Sequence, residues 1–217
     1  LQLRNGAFIG WEYKTFSQEH MLNYEQICKI LSEDQEVIDI ITKDLLNVYE
    51  DSYTLDSAQI LANGVSVTYT PHLAVHSALP PIIIQFHPHA SQDIMINAID
   101  QCFQVYLRSN QLPVVLFISS DKTSKSFFDP FVQLQSKSYL YHLPNTVWSR
   151  KCLLISERSF GQGAPKDENL NELVALSMCL LQDEQIIATL GRSQNAAIQH
   201  LYNKYKTIFD PDCNNQL

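Results

Sequence analysis

Two short apolar runs constrain this chain more than any other feature: Ile82-Ile83-Ile84 after Pro80-Pro81, and Val114-Val115-Leu116-Phe117-Ile118 after Pro113. A strand with water on one face alternates apolar and polar side chains, so a run that never alternates needs cover on both faces. Between the runs lies one amphipathic helix, opened by Ser91 as N-cap, with Met95, Ala98, Ile99, Cys102 and Tyr106 on its predicted inward stripe. Strand, helix and strand at these lengths form a crossover unit, which makes the two strands parallel and the fold α/β.

The rest of the chain extends that core. From Met21 to Tyr49 apolar residues recur at helical spacing, and Ser32 with Gln35 forms a capping-box pattern that restarts a helix after a break. The spacing places Ile27, Ile30 and Leu31 on the buried face of the first helix, and Val37, Ile38, Ile41, Leu45 and Val48 on that of the second. Two extended runs, Ile60 to Ala62 and Val65 to Tyr69, then flank Asn63-Gly64, a strong hairpin signal. A short helix is expected from Phe128 to Gln135, and a further strand from Cys152 to Ser156. Gly161, Gly163 and Pro165 mark a connecting loop before two closing helices. Leu170, Leu173, Val174, Ser177, Leu180 and Leu181 form one face of the first, and Ala197, Ile198, Leu201, Tyr202 and Tyr205 one face of the second. The expected organisation is an N-terminal arm over 1–20, one domain over 21–209 built on a mixed central sheet flanked by helices, and a flexible tail over 210–217.

Composition narrows the function classes. A chain of 217 residues can bury a core without disulfides or metals, and no apolar run approaches the length of a membrane span, so a soluble protein is expected. The five cysteines, Cys28, Cys102, Cys152, Cys179 and Cys213, are odd in number and widely spaced, which predicts reduced structural thiols in a cytoplasmic or nuclear setting. The chain begins with Leu1 and not methionine, so a missing leader carries no weight. A net charge of −8 opposes broad phosphate contact and favours protein partners over nucleic acid. The middle third nevertheless concentrates Lys122, Lys125, Lys137, Arg150, Lys151 and Arg158, whose plainer reading is solvated loop charge. Phe127, Phe128, Phe131, Tyr139, Tyr141 and Trp148 offer a stacking surface beside them, though aromatics at this density more often pack.

The order helix, three strands, helix and strand resembles the PD-(D/E)XK nuclease core, a restriction-endonuclease-like fold. That family carries Pro-Asp at a strand start and Glu-x-Lys or Glu-x-Gln on the next strand. Pro71-His72 here stands for the first motif and Gln85-Phe86-His87 for the second. The helix Ser91 to Arg108, the strand Pro113 to Ile118 and the segment Leu173-Val174-Ala175-Leu176 are similar to the transposase-associated, Rpn-like branch expanded in some fungi. The resemblance spans Met21 to Lys206, and its specificity rests on the one hairpin. It implies a site in which two carboxylates hold Mg²⁺ or Mn²⁺ to activate water. His72 and Gln85 remove both anions and His87 replaces the residue that steers the water. The implied protein is a silent nuclease-like domain without cofactor, kept for protein binding or dimerisation.

Rival readings remain. Asp93 on the following helix could supply a migrated carboxylate, restoring a metal-dependent nuclease, though an acid in a first helical turn is favoured by the helix dipole anyway. His72, His76, His87 and His89 could hold a transition metal, against their plainer reading as hairpin and surface histidines. A nucleic-acid-binding module without cleavage needs Lys122, Lys125, Arg150 and Lys151 on one face. No nucleophile elbow, P-loop or dinucleotide fingerprint is present, Gly161-Gln162-Gly163 being too weak, and a cysteine–histidine pair would emerge only in space.

Overall fold

The computed structural model describes residues 18–72, 78–89, 91–119, 125–160, 171–181 and 195–209. Two helices, α1 (Gln18–Glu33) and α2 (Gln35–Leu46), lead into a meander of β1 (Tyr53–Leu61), β2 (Gly64–Pro71) and β3 (Ile82–His87). The crossover helix α3 (Gln92–Ser109) then carries the chain to β4 (Val114–Ser119). A short α4 (Lys125–Phe128), β5 (Val132–Gln133), β6 (Tyr141–His142), β7 (Lys151–Ser156), α5 (Glu172–Leu181) and α6 (Ala196–Phe209) follow.

The described strands form one seven-stranded mixed sheet in the order β1-β2-β3-β4-β7-β6-β5. The two apolar runs are its centre: β3 and β4 are parallel, with Ile82 opposite Val114 and His87 opposite Ser119, and every residue of both is buried. β7 lies parallel beyond β4, while the outer pairs are antiparallel. The fold is therefore α/β with a mixed sheet flanked by helices, as the two runs require. One face carries the larger core, where Val65, Ile84, Leu116 and Ile155 meet residues of α1, α2, α5 and α6. The other face, with Ile83, Val115, Phe117 and Leu154, is covered by Ile94, Ala98, Cys102 and Val105 of α3.

Several local expectations change. Asp34 caps α2 by accepting from the Glu36 N–H at 2.9 Å, whereas Ser32 sits inside α1 and donates to its own helix at Lys29 O, 2.7 Å away. Gln35 instead donates to Asp39 Oδ1 and Tyr53 O. On α1, Cys28 and Leu31 are buried while Ile30 is half exposed. On α3 the buried stripe is Ile94, Ala98, Cys102 and Val105, which leaves Tyr106 outside and Ile99 on the flank. Helix α4 stops at Phe128, because Val132 and Gln133 pair with Tyr141 and His142. α5 is buried on every side from Leu173 to Leu181, so a one-faced helix is the wrong description of it. Of the arm expected over 1–20, residues 18–20 open α1 and 1–17 lie outside the described residues, as do the tail over 210–217 and the Gly161–Gly163 loop. Among the described residues no helix is long and apolar enough to cross a membrane.

Candidate functional site

β2 reads Val65-Ser66-Val67-Thr68-Tyr69, and alternation sends the two hydroxyls to the face under α3 while the apolar side chains enter the larger core. Gln85 opposes Ser66 and lies on that same face, as does His87 two residues on. α3 adds Gln101 from above. These residues form one chain of hydrogen bonds. The Gln101 Oε1 atom lies 2.6 Å from both Ser66 Oγ and Gln85 Nε2, Gln85 Nε2 lies 2.9 Å from Ser66 Oγ, and Gln101 Nε2 reaches Thr68 Oγ1 at 3.2 Å. His87 closes the other end, with Nε2 2.9 Å from Gln85 Oε1 and Nδ1 2.6 Å from Asn63 O. Ser66, Thr68, Gln85 and His87 are all buried.

Gly64 makes the turn at Asn63 fit against His87. With φ at +147°, it occupies backbone space that side chains rarely enter, and a Cβ there would stand 2.1 Å from Phe86 O and 2.5 Å from His87 Nδ1. Farther along the sheet, Ser119 pairs opposite His87 and Ser156 opposite Ser119, so the carboxyl ends of the three parallel strands present a row of buried polar side chains. Open α/β sheets gather their ligand sites at that end.

The hydrogen-bond capacities define what the network can do. A carbonyl only accepts, so His87 Nδ1 carries a proton toward Asn63 O. When the ring is charged, Nε2 donates to Gln85 Oε1, and the two glutamine amides donate onward to Ser66, Gln101 and Thr68. When the ring is neutral, half-turns of both amides reverse every donor: Gln85 donates to Nε2, Ser66 and Gln101 donate to Gln85, and Thr68 donates to Gln101. Both arrangements give each of these groups at least one hydrogen-bond partner. Burial pulls the His87 pKa below its ordinary value against the opposing effect of the Asn63 hydrogen bond, which favours the neutral arrangement near pH 7.

The donor set does not fit a hard divalent ion. It offers amides, hydroxyls and an imidazole, with no carboxylate to supply charge or basic oxygens. No cluster of three or more His, Cys, Asp or Glu residues placed to hold a metal occurs among the described residues. Asp93 is exposed in the first turn of α3, and Gln101, about 12 Å farther along the helix axis, is the α3 residue that reaches Gln85.

The register also corrects the hairpin reading. Pro71 ends β2 instead of opening a strand, and Ser66 and Tyr69 pair with Gln85 and Ile82. His72 is six residues past Ser66, roughly 20 Å along the strand direction from Gln85, at the opposite end from His87. Its backbone N–H is bound to Ser52 O and its side chain is exposed. Sequence spacing brought His72 to Gln85, and strand direction separates them. His89 is exposed beyond β3, and His76 lies outside the described residues. So does Lys122, while Lys125 is placed only as the first residue of α4. Arg150 and Lys151 are adjacent and exposed at the start of β7.

The cysteines make poor nucleophiles. Cys28, Cys102, Cys152 and Cys179 are free and buried, and burial raises all four pKa values, with Cys102 and Cys179 pushed up to about 12. The residues overlooked in the sequence are Asn63, Ser66, Thr68 and Gln101. The alternating hydroxyls of β2 were the one signal for them. No protein-family model, curated protein or solved structure matches this chain.

Proposed function

We propose that this chain is a catalytically silent PD-(D/E)XK nuclease-like domain, retained inside the cell as a protein-interaction or dimerisation module without a catalytic metal. The observation that carries the proposal is the two-sided character of α3. Its inner flank gives Gln101 to a neutral network closed upon itself, where metal-dependent phosphodiester chemistry needs carboxylates. Its outer face presents Ile96, Phe103 and Leu107, which are 63%, 60% and 69% exposed. These residues recur at helical spacing opposite the buried stripe, interrupted on that face by the exposed Asp100, and large apolar side chains gathered on one helix face in water mark an interaction surface.

The element order helix, three strands, helix and strand supports the family resemblance, and the free thiols support a reducing compartment. Antiparallel pairing of α3 with a second copy opposes the two helix dipoles and brings Asp93 of the first turn toward Arg108 of the copy's last turn, which within its own chain already bonds Asp56 at 3.4 Å. Sedimentation velocity is expected to show a concentration-dependent dimer that Phe103→Ser with Leu107→Ser abolishes. A strict monomer at every concentration would overturn the dimer. With Mg²⁺ or Mn²⁺ no cleavage of DNA or RNA is expected, and metal-dependent cleavage lost in Asp93→Ala would overturn the silent site.

A further inference from the structure

The geometry points to a second site, a cleft of about 540 Å³ that binds a small phosphomonoester through Arg150, Lys151 and His142. Lys151 opens β7 opposite Val114, the first residue of β4, so the cleft lies at the amino ends of the parallel strands. Gln85 and His87 lie toward the carboxyl ends. The faces differ as well: His142 pairs with Leu153, which belongs to the core on the α2 side, away from α3. The site is therefore independent of the network under α3.

Charge singles this cleft out. Among its lining residues Lys137, Arg150 and Lys151 stand against one carboxylate, Asp44. That carboxylate is already engaged: its Oδ1 accepts from Tyr139 Oη at 2.8 Å and Asn171 Nδ2 at 2.7 Å, and Lys137 Nζ stands 3.0 Å from Oδ2. Arg150 and Lys151 have no ion-pair partner among the described residues, in a chain whose net charge is −8. Two adjacent cations without a counter-charge repel each other, and an anion between them relieves that repulsion.

Shape and chemistry select the anion. The volume falls within the roughly 300–1,000 Å³ typical of small-ligand sites. A guanidinium and an ammonium lining one cleft suit the oxygens of a tetrahedral dianion, and the cleft also has apolar lining from Leu140, Leu143 and Leu153 for an attached ring. The backbone that carries these cations is held in place: Arg150 N–H donates to Pro113 O at 2.8 Å, and Ser149 Oγ donates to Thr146 Oγ1 at 3.2 Å across the turn before it.

Phenyl phosphate, inorganic phosphate, benzoate and a single-stranded oligonucleotide, each titrated into the whole chain, test the assignment by calorimetry and amide shifts. Phenyl phosphate is expected to bind about tenfold more tightly than inorganic phosphate or benzoate, shifting the amides of His142, Arg150 and Lys151. Arg150→Gln with Lys151→Gln is expected to weaken it on the order of 100-fold at an unchanged melting temperature, since both side chains are exposed. No binding, undiminished binding by the double variant, or equal binding of benzoate overturns the proposal. Tighter, steeply salt-dependent binding of the oligonucleotide assigns the cations to nucleic acid and overturns it too.

Discussion

Replacing Gln85 with leucine separates a structural role of the buried network from a ligand-binding one. Gln85 holds three contacts, to Ser66 Oγ at 2.9 Å, Gln101 Oε1 at 2.6 Å and His87 Nε2 at 2.9 Å. Leucine keeps most of the volume and removes all three. Ser66 and Gln101 still bind each other at 2.6 Å, and Gln101 still reaches Thr68, so the stranded atom is His87 Nε2. Three hydrogen bonds at about 1 kcal/mol each, with about 1–3 kcal/mol for an orphaned buried nitrogen, predict a loss of about 4–6 kcal/mol. Urea unfolding at neutral pH reads this as a lower midpoint at an unchanged slope. Adding His87→Phe removes the orphan, so a coupling of about 1–3 kcal/mol is expected in the double-mutant cycle. If Gln85→Leu is as stable as the parent, or more so, the reasoning fails. Polar groups kept at the expense of stability are the mark of a working site, and the silent reading would fall with it.

Three further outcomes follow from the same geometry. Gly64→Ala is expected to destabilise by about 3 kcal/mol or more, since its Cβ meets a backbone oxygen and the ring that Asn63 holds; an unchanged melting temperature would show a looser hairpin. Folding lowers the His87 pKa from its ordinary value of 6.5, so near that pH the unfolded chain binds more protons than the folded one. Stability should then fall as pH drops from about 6.5 through the folded-state value and level off below it, by about 1.4 kcal/mol for each tenfold by which folding weakens proton binding, and His87→Gln should flatten that slope. Although partial burial raises them, Lys204 pulls the pKa values of Asp34 and Glu36 down, so their contribution is lost only further into acid. Finally, an aromatic disulfide reagent should label Cys102 and Cys152 slowly in the native protein and fast in urea, and rapid native labelling of either would contradict their burial.

The sequence by itself determined the centre of this protein. Ile82 to Ile84 and Val114 to Ile118 had to be covered on both faces, and one helix between them left a parallel crossover as the solution; β3, α3 and β4 are that unit. Asn63-Gly64 likewise marked the β1–β2 hairpin, because two extended runs met at a turn. Tertiary structure decided what spacing along the chain cannot express. Proximity in sequence made Pro71-His72 look like a partner of Gln85, but antiparallel pairing sends β2 away from it, so Ser66 meets Gln85 and His72 ends at the far end. Gln101 joins them only because α3 folds back across the sheet, and Arg150, Lys151 and His142 share a cleft only because β6 pairs with β7. Periodicity reports which side of an element is buried; which residues meet there depends on strand direction and register, which are set by the whole sheet at once.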